Sequence, residues 1–170
     1  KQAQPVEPKT YAPAAPGSVE EAIEQFLKGL LEHMGSEAVP HAYQLDEESY
    51  RADLVGGDTG LLIGRRGDTL DAIQYLGSLV LNNALDEHVR LSVDTENYRE
   101  KRSESLERLA RKMAMKVVKS HRSMTLEPMN PYERRIIHAA LQDFNAVTTY
   151  STGTEPNRRV VIAPDGRQRH

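Results

Sequence analysis

Gly64-Arg65-Arg66-Gly67 breaks the middle of this 170-residue chain with two glycines that flank two arginines. It is entered from the apolar run Leu61-Leu62-Ile63 and leaves into Asp68-Thr69-Leu70-Asp71-Ala72-Ile73, where a helical pattern begins. A fold that accepts this stretch must place a tight turn between an apolar segment and an amphipathic helix. Glycine lets the main chain approach a ligand without a Cβ in the way, and the following helix offers free amide N–H groups and the positive end of its dipole. With arginine charge added, the expected ligand is a phosphate backbone, and the expected molecule is single-stranded RNA or DNA. A Gly-x-x-Gly turn alone is weak evidence, because most such turns are plain connectors, so the neighbouring elements must decide.

Ser18 to Met34 reads as a helix, with Val19, Ala22, Ile23, Phe26, Leu27, Leu30 and Leu31 at helical spacing. Two strand-like runs, Ala38 to Leu45 and Tyr50 to Gly57, flank the polar turn Asp46-Glu47-Glu48. The second alternates, setting Tyr50, Ala52 and Leu54 against Arg51, Asp53 and Val55. After the glycine turn, Leu70, Ile73, Leu76 and Val80 mark one helical face, and Val89 to Val93 reads as a closing strand. The predicted order is helix, strand, strand, helix, turn, helix, strand.

That order around that turn resembles a bacterial-type (type II) KH domain over residues 18–95. The resemblance implies helices on a three-stranded sheet, with Gly64, Arg65, Arg66 and Gly67 clamping about four nucleotides of backbone. Val55, Leu61, Leu62, Ile63 and Leu70 are candidates to line an aliphatic groove, with core packing as likely for each. A nucleotide-hydrolysing phosphate loop is a poor alternative. The segment lacks the Gly-Lys-Ser/Thr that holds terminal phosphates and magnesium.

The net charge of -3 conceals two unlike halves. Residues 1–97 carry 7 basic and 17 acidic side chains, net -10, whereas residues 98–170 carry 15 basic and 8 acidic, net +7. Nine of the basic residues fall between Arg99 and Arg122. Arg108, Lys112, Lys116 and Lys119 recur on one helical face, apart from an apolar stripe of Leu106, Leu109, Met113 and Val117. A solvated helix surface explains such a stripe as well as a polyanion partner does, and the local excess over acids favours the polyanion.

Met124 to Met129 reads as a short strand, and Asn130-Pro131 opens a helix with proline in its first turn. Arg134 and His138 stand four apart on that helix and hence on one face. Ala146 to Tyr150 and Arg158 to Ala163 read as a hairpin around a polar turn, residues 151–157. Met124 to Pro164 resembles the Arg-x-x-x-His domain, written R-3-H, with Arg134 and His138 in the two named positions. The resemblance implies a small α+β fold that binds single-stranded nucleic acid. An always-charged Arg suits bidentate phosphate contact, and an adjacent His can donate a hydrogen bond or take up charge.

A KH domain followed directly by an R-3-H domain resembles the Jag family of SpoIIIJ-associated proteins, also called the KhpB family, over about Val19 to Pro164. The resemblance implies a cytoplasmic, non-catalytic RNA-binding protein of RNA-chaperone type, with a small lone-KH-domain protein as partner. It also implies links to cell-wall homeostasis, cell elongation and sporulation, and peripheral association with a membrane insertase. Members usually carry a further small N-terminal domain ahead of a linker. Here residues 1–17, bearing Pro5, Pro8, Pro13 and Pro16, resemble that linker, and their composition predicts an extended or disordered tail. Residues 96–170 are then the R-3-H domain. The expected fold class is α/β of the α+β kind in two modules.

With no cysteine, the sequence excludes disulfides and thiolate metal sites, and no cofactor is expected. No hydrophobic run approaches the roughly 18 residues that read as a membrane span. With no Trp and two Phe, a platform of exposed stacking rings is disfavoured. The best enzymatic alternative is a nuclease using His138 with Glu133 or Arg134; it lacks a second histidine at helical spacing and an acidic pair in an obvious metal-binding context. His33, His41, His88, His121 and His170 read as ordinary surface or packing residues. The remaining alternative is a protein adaptor with little nucleic-acid binding of its own.

Overall fold

The computed structural model describes residues 9–85 and 88–166. The expectations for residues 1–8 and for His170 fall outside that range. The chain divides into two compact units between Tyr98 and Arg99.

In the first unit, α1 (Val19–His33) starts where Ser18 Oγ accepts the Glu21 N–H at 3.2 Å and Glu21 reaches back to the Gly17 N–H at 2.6 Å, a reciprocal cap. Its inner stripe is Ile23, Leu27 and Leu31. Strands β1 (Val39–Asp46) and β2 (Ser49–Val55) pair antiparallel, and β3 (Arg90–Asp94) joins β2 in parallel, giving the order β1-β2-β3. Between β2 and β3 run the short helix α2 (Thr59–Ile63), a 3-10 turn over Arg65–Gly67, and α3 (Asp68–Ala84). Tyr50, Ala52, Leu54, Leu91 and Val93 meet the helices in one core. The element order is the predicted one.

One expectation is corrected here. The buried stripe of α3 is Leu70, Ile73, Gly77 and Leu81, while Leu76 and Val80 stand exposed with Tyr75 and Leu79. The helix is apolar on two sides, so spacing alone could not choose. Gly77 decides it: a Cβ there would lie 2.8 Å from Leu91 Cδ2, so only this face can approach β3 closely.

Asp53, which alternation sets opposite Tyr50, Ala52 and Leu54, is buried as they are, because the tail closes over its face of β2. Tyr11 stacks on His41 with ring centroids 4.4 Å apart, and the Lys9 ammonium and the Tyr11 and Tyr43 hydroxyls all donate to Asp53 Oδ2 at 3.1 Å. Arg51 Nε adds a bond to Oδ1 at 2.9 Å. Burial alone would raise the Asp53 carboxyl; the bonds from Arg51 and Lys9 outweigh it and hold the group below the usual carboxylate range. Burial, then the adjacent carboxylate, pushes the Tyr11 phenol up to about 12. Residues 9–17 lack regular secondary structure except for the turn into α1, and they are fastened to the sheet at Lys9 and Tyr11.

The second unit takes up α4 (Tyr98–Ser120) from its second residue, followed by β4 (Met124–Pro128), α5 (Pro131–Ala140), β5 (Val147–Thr152) and β6 (Arg159–Pro164). The three strands form an antiparallel sheet in the order β4-β6-β5. Asn130 Oδ1 caps α5 by accepting the Glu133 N–H at 2.8 Å, and Pro131 fills a first-turn position that needs no donor. The buried stripe of α4 is Leu106, Ala110, Ala114 and Val117, and the expected Leu109 and Met113 are half-buried. Two alanines carry the stripe, a choice that a search for large apolar residues passes over. Both units mix helices with a three-stranded sheet, so the fold is α+β.

Candidate nucleic-acid interface

The glycine turn is built from both ends. Asp58 caps α2, its Oδ1 accepting the Gly60 and Leu61 N–H groups at 2.9 and 3.3 Å. The helix stops at Gly64 (φ 67°, ψ -165°), whose N–H donates to Gly60 O at 2.9 Å. Arg66 (φ 58°, ψ 24°) and Gly67 (φ 88°, ψ 6°) then take left-handed backbone, and α3 begins with no side-chain cap. Three positive φ values in four residues turn the main chain sharply into a 17-residue helix that starts without a side-chain cap, its Asp68 N–H donating to Arg65 O.

Both glycines are also sterically required. A Cβ at position 64 would collide with the Thr69 side chain, 2.8 Å from its Cβ, and one at position 67 would lie 2.9 Å from Tyr98 Cε1. Arg65 is exposed and Arg66 half-buried. Of the groove candidates, Leu62 and Leu70 are fully buried in the core, Ile63 is half-buried, and Val55 and Leu61 are exposed. The apolar surface available to a ligand from this group is thus smaller than the sequence suggested.

In the second unit Arg108, Lys112, Lys116 and Lys119 all lie exposed on α4, roughly opposite its buried stripe. Arg108 is bridged by Glu104 at 3.5 Å, an exposed pair of little energetic weight. Arg134 is placed quite differently. Its side chain is 10% exposed; Nη1 donates to Met129 O and Nη2 to Glu155 Oε1, both at 2.6 Å. The guanidinium thus ties the β4–α5 corner to the loop between β5 and β6. Glu155 is half exposed and covers it.

His138 lies one turn along. Nδ1 is 2.7 Å from Thr149 Oγ1 and Nε2 is 3.0 Å from Ser151 Oγ, both on β5. Burial, then the Arg134 charge, pushes its pKa below the ordinary histidine value, so near neutral pH the ring is uncharged. It serves there as a hydrogen-bonding group, not a second cation. Glu133, the carboxylate considered beside it for acid–base chemistry, is buried and bound to Arg102 Nε at 2.7 Å. The sequence singled out Arg134 and His138 but not their partners. Nothing in the polar turn over residues 151–157 distinguishes Glu155 from its neighbours. Among the described residues no group of three His, Asp or Glu side chains is placed to hold a metal ion, and no helix is long and apolar enough to cross a membrane.

A glycine-hinged, arginine-tipped turn on a three-stranded helix-covered sheet, followed by an Arg-x-x-x-His helix on a second sheet, defines a tandem KH and R-3-H protein. The KH domain model of KhpA/KhpB matches residues 20–93 and the R-3-H domain model matches residues 104–164. The chain belongs to the KhpB family. It is 54% identical over 121 residues to the RNA-binding protein KhpB of Clostridium symbiosum, covering 71% of this chain and 54% of that one. To the protein of that name from Bacillus subtilis (strain 168) it is 42% identical over 122 residues, 71% of this chain and 59% of the relative. To that of Lactiplantibacillus plantarum it is 41% identical over 104 residues, 61% and 32% respectively. The chain thus spans little more than half the length of the first two and a third of the third.

Proposed function

We propose that this chain binds single-stranded RNA without catalysis, gripping backbone phosphates at Gly64 to Gly67 and holding a second stretch with Arg134, His138 and the α4 cations. The observation that carries this reading is the turn itself, where left-handed backbone, two arginines and an uncapped helix start converge. The relatives named above carry RNA binding in their names. Two phosphate sites on one chain raise each other's effective concentration, so a long strand binds far more tightly than a short one. Because Arg134 is already bonded, it takes phosphate only by exchanging the Glu155 carboxylate for it. Single-stranded DNA is the competing ligand, and the contacts proposed here, being to phosphate, do not themselves discriminate.

The test is fluorescence anisotropy of a labelled single-stranded RNA across several salt concentrations. Four phosphates clamped at a KH module give a log affinity against log salt slope of about -3, at -0.7 for each phosphate. A flat salt response, or no binding, overturns the reading and favours the adaptor alternative.

The partner and setting implied by family membership belong to the same proposal: a lone-KH-domain protein, a cytoplasmic location, and roles in cell wall, elongation and sporulation. Peripheral insertase association has only that support. For the partner there is one structural observation, the exposed apolar face of α3, where Tyr75 is 68% and Leu79 47% exposed. Light scattering is expected to register a mass increase when a lone KH domain is added, and Leu79→Glu to abolish it. A strict monomer in both cases removes this element.

A further inference from the structure

Between the end of β3 at Asp94 and the start of α4 at Tyr98, the chain turns an unusual corner of three residues. Asp94 and Thr95 are nearly fully buried; the Thr95 N–H donates to Asp94 Oδ1 and Thr95 Oγ1 donates to Leu54 O, both at 2.9 Å. Glu96 and Asn97 then follow in left-handed backbone, φ 50° and 55°. Tyr98 comes next, its N–H returning to Thr95 O at 2.9 Å. Two consecutive non-glycine residues in that region are unfavourable for L-amino acids and persist only where the surroundings hold them. A strand can enter a helix without such strain, so the question is what the corner delivers.

It delivers the Tyr98 ring to Gly67. The ring packs on the first unit's core and lies so close to the Gly67 α-carbon that a Cβ there would sit 2.9 Å from Cε1 and 3.5 Å from the hydroxyl oxygen. Gly67 is the last residue of the glycine turn and the residue before the uncapped start of α3. The ring therefore backs one of the two glycines at which the turn holds a positive φ without a side chain to brace it. On the other side, Gly64 is held by the Thr69 side chain. The turn is gripped at both glycines, which fixes the backbone from which the two arginines between them project.

We infer that Tyr98 is the positioning residue of the phosphate cradle, a stop that holds the Arg66-Gly67 peptide and the first α3 amides in the geometry that receives an anion. It touches no ligand. Its effect is to preset the turn, so that ordering the turn on binding costs less conformational entropy. This rests on the RNA-binding reading for its functional consequence but not for its structural content.

The experiment compares Tyr98→Ala, Tyr98→Phe and Tyr98→Leu in the full chain by two readouts. Amide hydrogen exchange at residues 65–69 in the free protein reports the turn. RNA anisotropy, with and without Arg65→Ala and Arg66→Ala, reports the function. Tyr98→Ala is expected to speed exchange at those amides and weaken RNA about tenfold, within the range for coupled neighbours. Tyr98→Phe is expected to stay near native, and Tyr98→Leu to fall between, which keeps the comparison usable if the alanine variant folds poorly. The affinity loss is expected to shrink in the Arg65→Ala, Arg66→Ala background, where the held peptide no longer carries the arginine charge and only the turn's amides remain to be positioned. Val89→Ala, a core truncation in the same unit, serves as the stability control and is expected to leave affinity unchanged.

Unchanged exchange in Tyr98→Ala, or an equal affinity loss in both backgrounds, overturns the assignment. Accelerated exchange in a chain whose native form binds no RNA keeps Tyr98 as the brace of the turn while removing the RNA-binding reading, so the two failures are distinct.

Discussion

Changing Arg65 and Arg66 together to aspartate is expected to weaken single-stranded RNA binding about a hundredfold at low salt and to make the salt dependence shallower by about 1.4 in slope. The slope follows from two phosphates left without their counter-charge, at about 0.7 each; the larger loss in affinity reflects repulsion added where attraction was removed. The variant is well suited to the backbone. Arg65 is exposed, and Arg66 sits at φ 58°, a conformation that aspartate tolerates better than most residues. Neither arginine carries the core, so the melting temperature should stay close to native. Anisotropy against salt for native and variant chains is the measurement. Binding that persists at native strength would move the site to the second unit; a collapse with an unchanged slope would mean that charge reversal had acted through the fold.

The glycine turn was legible because three independent constraints sit in adjacent letters: two glycines, two arginines and the onset of helical spacing. The helix starts at Ser18 and Asn130 were legible for a similar reason, since a capping side chain and the apolar repeat agree. What was lost was lost to groups that have no local signature. Asp53 alternates with the core residues of β2 and is nonetheless buried, because Lys9 and Tyr11, more than forty positions away, close over it. On α3, Leu76 and Val80 looked as suited to the core as Leu70 and Ile73; a missing side chain at Gly77 chose between the faces. The α4 stripe ran through Ala110 and Ala114, whose small size shows only once a partner surface exists. Arg134 and His138 were found by their spacing, but their spacing says nothing of what they hold. That information lies in Glu155, Thr149 and Ser151, on a hairpin the helix meets only after folding.

Arg134 therefore faces two demands that substitution separates. As a brace, it satisfies the buried Met129 carbonyl and ties down the loop at Glu155, so Arg134→Ala is expected to destabilise the second unit by about 2 to 4 kcal/mol, read by urea unfolding. That variant cannot say whether the guanidinium also meets RNA, because it removes brace and charge together. Glu155→Gln can. The amide keeps an acceptor for Nη2 while removing the negative charge that competes with phosphate. If phosphate exchanges onto Arg134, affinity should rise about threefold to tenfold and the salt slope steepen by up to about 0.7. Asp143→Asn, an exposed acid on the same unit, measures what loss of any negative charge does. A gain in Glu155→Gln no larger than in Asp143→Asn makes Arg134 a brace alone and leaves the second unit's contacts to Arg108, Lys112, Lys116 and Lys119. A larger gain, lost again in Arg134→Lys, whose ammonium cannot reproduce the guanidinium fork, places the phosphate on Arg134 itself.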